Sequence, residues 1–266
     1  MSGFTTDWLA LREPADAVAR AGAHVDPFVS SAGASLQVVD LGAGTGANLR
    51  YLAPRLGGPQ EWIAVDSDPT LLGALAARPA PAGTRVRTLR LDLAHDLDAL
   101  PLDRNDLVTA AALLDLVSAT WLARLAARCA AAQAGVLFAL TYDGRIEWSP
   151  AEDGDACIRA LVNTHQRSDK GFGPALGPAA AAEAERTFAG LGYRMRSARS
   201  DWILGTESRA LQAALVGGWS AAALEIAPRE ANVLEDWRRR RNMHLVNGTS
   251  RLRVGHLDLA GELQSQ

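Results

Sequence analysis

The sequence predicts an α/β fold in which helices cover both faces of a doubly wound, mostly parallel sheet. Three observations lead to this class. Short apolar runs alternate with segments of helical periodicity along residues 36–145. A glycine-rich turn joins the first run to the first of these helices, as strand-to-helix connections in such sheets often do. At 266 residues the chain is long enough for one such domain with insertions.

The first elements follow from local patterns. Residues 4–29 predict two short helices, because apolar residues recur at helical spacing and Pro14 interrupts them. The run "SLQVVDLG" has the composition of a buried parallel strand. After the glycines, "ANLRYLAPRL" has helical periodicity and is closed by Gly57 and Gly58. These segments form a strand, a loop and a helix.

The same alternation of strand and helix continues from the second strand to the fifth. The segments "EWIAVDSD" and "TRVRTLRLDLA" predict the second and third strands, with the helix "PTLLGALAAR" between them. The segments "DLVTAAALLDLV" and "GVLFALTYDG" predict the fourth and fifth strands, separated by the helix "ATWLARLAARCAAAQ". Strands that alternate with helices in this way are typical of a parallel sheet.

The regular alternation of strands and helices ends after the fifth strand. Residues 143–177 are polar and contain glycines, with one short helix predicted near residues 157–164. A helix, "PAAAAEAERTFAGLG", and a sixth strand, "YRMRSARSDWIL", come next. Residues 206–243 then predict two helices split near Pro228, and "SRLRVGHLDLAG" alternates enough to form a final strand.

Composition and charge favour a small-molecule ligand. A net charge of -3 with a pI near 6.0 gives no electrostatic reason for a nucleic-acid partner, and the four arginines 238–241 spread around a helix end. Cys129 and Cys157 form no C-x-x-C pair, so neither a zinc cluster nor a disulfide framework is expected. No apolar run reaches the roughly 18 residues that span a membrane, and no signal peptide precedes the first helix. We expect a cytoplasmic chain with no membrane partner; its oligomeric state stays open.

The glycine loop in "VVDLGAGTGANLRYL", residues 38–52, fits two ligands. Gly42, Gly44 and Ala47 satisfy G-x-G-x-x-A, a dinucleotide-binding fingerprint. Asp40 with Gly42, Gly44 and Gly46 satisfies D-x-G-x-G-x-G, the pattern of S-adenosylmethionine (SAM) sites. Asp66 ends the second strand about 20 residues after the last glycine, where either fold places a carboxylate for the ribose hydroxyls. The loop therefore indicates an adenosine ligand of either kind.

Residues around the loop favour SAM. Asp40 suits the amino acid part of SAM, directly or through water, whereas a carboxylate beside a pyrophosphate is repelled by it. Asp92 with Leu93, at the end of the third strand, suits the amino group and the ring of adenine. No tyrosine stands four residues before Lys170, the single lysine, so the Tyr-x-x-x-Lys pair of short-chain dehydrogenases is absent.

Four motifs occur in the order of a known family. The segments "VVDLGAGTGANL", "IAVDSD", "LRLDLA" and "DLVTAAALLDLV" resemble those of class I SAM-dependent methyltransferases across residues 36–145. The resemblance implies a Rossmann-like sheet of seven strands with an antiparallel last strand beside the fifth, and ligands bound at the carboxyl ends of the strands. It also implies SAM as cofactor, S-adenosylhomocysteine (SAH) as product, and a cofactor site of Asp40, Gly42, Ala43, Gly44, Gly46, Asp66, Ser67, Asp92, Leu93 and Ala112.

The resemblance implies one methyltransferase domain, residues 1–266. Its parts are an N-terminal helical lid (1–30), a SAM-binding core (31–145), a substrate loop (146–177) and a C-terminal part (178–266) that contains the helical insertion 206–243. The motif Asn/Asp-Pro-Pro-Tyr of enzymes that methylate base or glutamine nitrogens does not follow the fourth strand. No aspartate set spaced like a catechol-type magnesium site occurs, so no metal is predicted. We expect methyl transfer to an oxygen, nitrogen or carbon of a small molecule.

The candidate catalytic residues lie after the fifth strand. The segment "NTHQRSDKGFG" combines a base, cations and glycines able to act as hinges, which suggests a substrate lid; a solvated loop is the alternative. The predicted catalytic residues are His165, Tyr142 and Lys170, and the predicted acceptor-binding residues are Arg12, Asp115, Asp143, Arg167 and Asp169.

Plainer interpretations stay open for several of these residues. Asp115 is also a candidate helix cap, and Asp143-Gly144 a candidate turn. Arg12 belongs with Asp16 and Arg20 to one helix side that is expected to be solvated, and His256 is expected to be a packing or surface residue. No single side chain is demanded by the chemistry, so a SAM-binding scaffold without catalysis remains an alternative, with an NAD(P)-dependent oxidoreductase less favoured.

Overall fold

The computed structural model describes residues 4–22, 28, 35–102 and 107–264. Within these ranges the helices are α1 Thr6–Ala19, α2 Ala47–Leu56, α3 Pro69–Ala76, α4 Ala119–Ala132, α5 Asp155–His165, α6 Ala180–Ala189, α7 Arg209–Ile226 and α8 Ala231–Val246. The strands are β1 Leu36–Leu41, β2 Gln60–Asp66, β3 Thr84–Arg90, β4 Leu107–Ala111, β5 Gly135–Ser149, β6 Tyr193–Arg199, β7 Trp202–Leu204 and β8 Arg251–Leu263.

The strands form one mixed sheet in the order β3-β2-β1-β4-β5-β8-β6, and β7 also pairs with β8. Strands β1 to β5 run parallel to one another, whereas β8 is antiparallel to β5, β6 and β7. The prediction of a doubly wound, mostly parallel sheet with an antiparallel last strand beside the fifth is confirmed. The predicted helical insertion is also present before that last strand, as α7 and α8.

The predicted sixth strand is two strands in the structure, which makes eight in the described residues instead of seven. The pairing register with β8 is the same on both sides of the break, from Arg199 opposite Leu257 to Trp202 opposite Val254. Between them, the carboxylate of Asp201 accepts the backbone N–H of His256 at 3.2 Å. The Asp201 side chain thus accepts the hydrogen bond that a backbone carbonyl would accept in a regular sheet. The regular strand is therefore interrupted between Arg199 and Trp202.

Strand β5 continues beyond its predicted end at Gly144. Ile146 and Trp148 are buried while Glu147 and Ser149 are exposed, so this half of the strand alternates like one face of a packed sheet. It pairs with the first half of β8, after two register shifts. The predicted substrate loop therefore contains the end of a strand and the helix α5.

Helix α1 also differs from the prediction of two short helices. It passes through Pro14 without a break, although proline removes a backbone hydrogen bond. Ion pairs on both sides of the proline stabilise it, Arg12 with Asp16 and Glu13 with Arg50. The predicted break at Pro14 is therefore wrong, and residues 23–27 and 29 of the predicted second helix lie outside the described residues.

Three of the four apolar clusters in the described residues position the site. Val39 and Leu41 of β1 face a cluster that includes α4 and α6, whereas Val38 faces α2 on the opposite side of the sheet. A third cluster joins the extended half of β5, together with β7 and β8, to α1, α5, α7 and α8. This third cluster positions α1 next to the carboxyl ends of the strands. No helix in the described part of the chain has the length and apolar character needed to cross a membrane.

Candidate functional site

The glycine loop connects β1 to α2 at the carboxyl edge of the sheet. Gly42, Gly44 and Gly46 have φ angles of 64°, 53° and 83°, a backbone region that residues with a Cβ rarely adopt. A Cβ at Gly44 would lie 3.1 Å from a methyl carbon of Leu9, and one at Gly46 would lie 3.0 Å from Leu75. Helix α1 therefore covers the loop at Gly44, and both backbone angles and space require glycine.

Asp40 is fully buried at the end of β1, beneath the loop. One of its carboxylate oxygens accepts a hydrogen bond of 2.6 Å from the amide of Asn48, and the other has no partner among the described residues. Burial raises the pKa of Asp40 to about 7, although Asn48 and Arg20 oppose the shift. A buried oxygen without a partner costs free energy and is suited to a ligand that donates a hydrogen bond.

Arg20 links the end of α1 to this carboxylate. Its guanidinium donates to the side-chain oxygen of Asn48 at 2.9 Å and lies 3.5 Å from the carboxylate of Asp258 on β8. Asp258 in turn accepts the backbone N–H of Leu140 at 2.8 Å and that of Ala21 at 2.9 Å. Arg20 is thus part of a buried polar network and not of a solvated helix side.

Asp66 is bonded directly to the glycine loop. One of its oxygens accepts the backbone N–H of Gly44 at 2.8 Å, and the other accepts the N–H of Asp68 at 3.0 Å. Ala43 is buried and donates its N–H to the carbonyl of Val65 at 2.9 Å, while Ser67 is exposed beside Asp66. The ends of β1 and β2 are therefore held in one fixed arrangement.

Asp92 and Leu93, which follow β3, lie in different surroundings. The Asp92 carboxylate is half exposed, accepts the N–H of Ala94 at 2.9 Å and lies 3.0 Å from a ring nitrogen of His95. These contacts, with the His95 hydrogen bond first, lower the pKa of Asp92. Leu93 is buried in the main core, and its carbonyl accepts the indole N–H of Trp121 at 2.6 Å. Its side chain is thus core packing, while Asp92 stays at the edge of the sheet.

The turn after β4 packs against the loop from the other side. Ala112 has a φ of 53° and donates its N–H to the carbonyl of Ala139 at 2.9 Å. This turn brings Leu113 to 3.6 Å from the position that a Cβ of Gly42 would take. Gly42 and Gly44 are therefore flanked by one apolar side chain each, Leu113 and Leu9.

Asp115 follows this turn and is buried, and one of its carboxylate oxygens has no partner among the described residues. Burial raises the pKa of Asp115 to about 6, against the opposing effects of nearby backbone N–H groups and of Arg12. The alternative that Asp115 caps α4 is wrong, because the hydroxyl of Ser118 accepts the N–H of Trp121 at 3.2 Å in that role.

Arg12 of α1 lies close to Asp115 and to the aromatic ring of Trp202. Its guanidinium donates two hydrogen bonds, of 2.9 and 3.2 Å, to Asp16, and its central carbon lies 5.0 Å from the Trp202 ring centre. The indole N–H of Trp202 also donates to Asp16, at 3.1 Å. Helix α1 therefore presents to the sheet a guanidinium that is already bonded to a carboxylate.

His256 completes this group from β8, directly opposite Tyr142 in the strand ladder. Its ring is buried, 4.9 Å from the ring of Trp202 and 6.2 Å from that of Tyr142 between centres, and Nδ1 has no partner among the described residues. Burial, aided by Arg12, lowers the pKa of His256 to about 3. His256 is a packed residue, as expected, and the pairing of β5 with β8 is what brings it to Tyr142.

Tyr142 and Asp143 end the first half of β5. The Tyr142 hydroxyl donates to the amide oxygen of Asn163 at 2.7 Å, and burial raises its pKa. Asp143 accepts from the guanidinium of Arg145 at 2.7 Å, which also donates to Asp201 at 2.7 Å. Asp143 further accepts the N–H of Arg145 at 3.0 Å, and Asp143-Gly144 forms an irregularity within β5, at the register shift between Tyr142 and Ile146, instead of a turn that ends the strand.

The segment that was expected to form a lid makes local contacts. His165 lies 3.1 Å from the carboxylate of Glu225 on α7, and Lys170 donates to the carbonyl of His165 at 3.0 Å and to Ser168 at 2.8 Å. Asp169 accepts two N–H groups of its own loop, and Arg167 donates to the carbonyl of Asn163 at 3.1 Å. No hydrogen bond or ion pair between described residues joins these side chains to the glycine loop.

Comparisons with known proteins agree with this arrangement. Residues 38–134 match the family model described as a methyltransferase domain. The cyclopropane synthase MmaA2 from Mycobacterium tuberculosis has the same fold, with a TM-score of 0.51, 13% identity, and coverage of 97% of this chain and 94% of that one. No curated protein matches the sequence.

Two further solved structures are similar at lower TM-scores. The geranyl diphosphate C-methyltransferase from Streptomyces coelicolor A3(2) has a TM-score of 0.47 and 13% identity, covering 91% of this chain and 76% of that one. The phosphoethanolamine N-methyltransferase 2 from Haemonchus contortus has a TM-score of 0.45 and 11% identity, covering 92% and 52%. The chain spans about half the length of this last protein.

Residues 38–134 of this chain therefore match a methyltransferase domain, and the sheet order and the glycine loop agree with that match. The cofactor that the sequence motifs imply for such a domain is SAM. The residues around the loop fit this cofactor, because the unpartnered oxygen of Asp40 matches a group that donates hydrogen bonds. Among the described residues, no group of three or more His, Cys, Asp or Glu side chains could hold a metal ion.

Proposed function

We propose that the protein transfers the methyl group of SAM to a small-molecule acceptor enclosed between α1 and the carboxyl ends of β4, β5 and β8. The observation that carries this proposal is the position of α1. Leu9 covers Gly44 of the cofactor loop, and Arg12, one turn further along the helix, stands beside Asp115. One helix therefore covers both the cofactor loop and the adjacent polar group, which favours an acceptor small enough to be enclosed.

The cofactor contacts proposed here follow the polar groups at the strand ends. Asp40 receives the amino group of the methionine part, directly or through water, and the backbone of Gly42 to Gly46 lies along that part. Asp66 receives the ribose hydroxyls beside Ser67, because its two oxygens each accept only one hydrogen bond in the described structure. Asp92 receives the adenine amino group in exchange for its contact with His95.

The acceptor contacts proposed here come from the elements on the methyl side of the loop. Leu113 lies against Gly42, so the chain after β4 borders the glycine loop. Asp115 follows shortly after Leu113, and both Arg12 and Tyr142 interact electrostatically with its carboxylate. We expect the acceptor to lie beside these three side chains. The contacts of His165, Arg167, Asp169 and Lys170 within their own loop and with α7 favour a structural role for that segment, and their predicted lid role stays a prediction.

The chemistry requires little more than positioning. Bound SAM supplies an electrophilic methyl group on a sulfonium. The residues of this chain hold the nucleophile in line at about 3 to 3.5 Å from that carbon and keep water out, which can provide much of the acceleration. A side chain that accepts a proton is needed only where the nucleophile carries one.

The proposal is tested with SAM labelled in its methyl group and a panel of metabolite acceptors. We expect a labelled product with at least one small molecule, together with release of SAH. Methylation of protein or nucleic acid alone would contradict the small-molecule acceptor. Saturable SAH binding without any transfer would favour the scaffold alternative.

A further inference from the structure

Five side chains lie near one another where α1 packs against the strand ends, and we call them the acceptor cluster: Arg12, Asp115, Tyr142, Trp202 and His256. Two buried polar atoms in this cluster have no hydrogen-bond partner in the described chain. They are an oxygen of Asp115, whose residue is 6% exposed, and Nδ1 of His256, whose residue is 5% exposed. Buried groups of this kind are usually paired in proteins, so two together indicate a polar ligand.

The neighbouring cations do not satisfy these atoms. The guanidinium of Arg12 is engaged by Asp16 through two hydrogen bonds and lies over Trp202. Arg145, the next cation along β5, bridges Asp143 and Asp201. Asp115 thus keeps an oxygen free although two guanidinium groups lie near the cluster.

The balance of charge disfavours an anionic acceptor. The oxygen of Asp115 that has no partner among the described residues carries negative charge, and the nearest guanidinium that acts on it, that of Arg12, is already paired with Asp16. Lys170, which belongs to the predicted lid, donates to its own loop instead. A phosphate or carboxylate placed against the unpartnered oxygen of Asp115 would therefore meet like charge.

We propose that Asp115 and His256 hold the nucleophile of an uncharged or cationic acceptor through its N–H or O–H group, and that Asp115 accepts its proton. This inference rests on the proposed function and narrows its acceptor class. In the transfer, a bond forms between the acceptor nitrogen or oxygen and the methyl carbon. The bond from that carbon to sulfur breaks, its electron pair stays on sulfur to give SAH, and the acceptor proton passes to the free oxygen of Asp115.

The two residues differ in what they can do. Burial raises the pKa of Asp115 to about 6, so the carboxylate is charged at neutral pH and is more basic than an exposed aspartate. The pKa of His256, lowered to about 3, keeps its ring neutral, so the ring orients the acceptor by a hydrogen bond at Nδ1. Asp115 is a proposed catalytic residue and His256 a proposed binding residue.

The acceptor class can be tested by binding, without knowledge of the natural acceptor. The SAH-saturated full chain, with ¹⁵N-labelled histidine, is titrated with four probes that share one aromatic ring: benzylamine, benzyl alcohol, benzoate and phenyl phosphate. The ring nitrogen signals of His256 are assigned by their loss in His256→Gln. We expect benzylamine or benzyl alcohol to shift these signals, and the two anions to leave them unchanged; the amine and the alcohol distinguish N–H from O–H acceptors.

Variants separate this inference from the proposed function. We expect Asp115→Asn to weaken binding of the favoured probe by roughly tenfold or more, because a charged acceptor is lost, with SAH affinity unchanged. Asp98→Asn is the matched control, since Asp98 is exposed and paired with Arg124 away from the cluster. Tighter binding of the anions, unchanged probe affinity in Asp115→Asn, or no response of His256 to any probe would overturn the inference. Failure of the wild-type chain to bind SAH would instead contradict the proposed function.

Discussion

The amide of Asn48 donates a hydrogen bond of 2.6 Å to one carboxylate oxygen of Asp40 and leaves the other oxygen without a partner in the described chain. The same amide lies 3.1 Å from the hydroxyl of Thr109, and the side-chain oxygen of Asn48 accepts from Arg20. Asp40 is therefore fixed in place and only partly satisfied. We propose that this arrangement binds the ammonium group of the cofactor at the expense of the stability of the free protein.

The pKa of Asp40 predicts how stability depends on pH. Its folded pKa of about 7 lies above the ordinary value, so between about pH 4 and 7 the folded chain binds a proton that the unfolded chain releases. The contribution of Asp40 to the free energy of unfolding therefore falls as pH rises through this window. Asp115, with a pKa of about 6, contributes with the same sign over a narrower window.

We expect Asp40→Asn to raise the free energy of unfolding at pH 8 by about 1–3 kcal/mol and to change it little at pH 5, since the neutral amide imitates the protonated carboxyl. The same variant should bind SAH at least about tenfold more weakly at pH 8, because a charged acceptor is lost. Urea denaturation and calorimetric titration at the two pH values measure both effects. An equal loss of stability at pH 5 and pH 8 would contradict this account of Asp40.

Helix α1 is expected to slow the release of the cofactor. Glu13 holds it to α2 through two hydrogen bonds of 2.7 Å to Arg50, which also donates to the carbonyl of Thr45 in the glycine loop. Glu13→Ala should increase the dissociation rate of SAH by roughly two- to fivefold, the range expected for a partly exposed ion pair. Stopped-flow tryptophan fluorescence measures the rate.

Asp7→Ala provides the control on the same helix, because Asp7 is exposed in the first turn of α1. It should leave the dissociation rate near that of the wild type. If Glu13→Ala and Asp7→Ala behave alike, the ion pair with Arg50 does not govern release.

Lys170→Met tests the predicted lid role of the segment around His165. The ammonium of Lys170 donates within its own loop, so we expect turnover and SAH affinity to stay within about twofold of the wild type. Once an acceptor is known, steady-state kinetics decide the question. A tenfold loss of kcat with intact SAH binding would establish the catalytic role instead.

Local patterns in the sequence were enough to predict most of the fold. Strands β1 to β5 and their helices follow from apolar runs and helical periodicity, and the glycines mark the turn at Gly42 to Gly46. The break at Asp201 was not predictable in this way, because it depends on a contact with the backbone of His256 on another strand. The extension of β5 to Ser149 depends in the same way on its pairing with β8.

The candidate site was likewise predictable only where its residues lie within a local sequence motif. Asp40 and Asp66 lie at strand ends within a recognisable motif, so their place at the edge of the sheet follows from the sequence. The approach of Arg12, Asp115 and His256 depends on long-range packing of α1 and on the register between β5 and β8. The segment around Lys170 was predicted to be a substrate lid from its residue types alone. Its contacts with its own loop and with α7 could be known only from the structure.

The central claim is that the glycine loop with Asp66 binds SAM, and isothermal titration of the purified chain with SAH and with NADH tests it most directly. We expect saturable binding of SAH and none of NADH, and a loss of SAH affinity of about tenfold or more in Asp66→Ala, because the charged acceptor for the ribose hydroxyls disappears. Asp98→Asn should bind SAH like the wild type. Saturation by NADH without SAH binding, or unchanged SAH affinity in Asp66→Ala, would contradict the account.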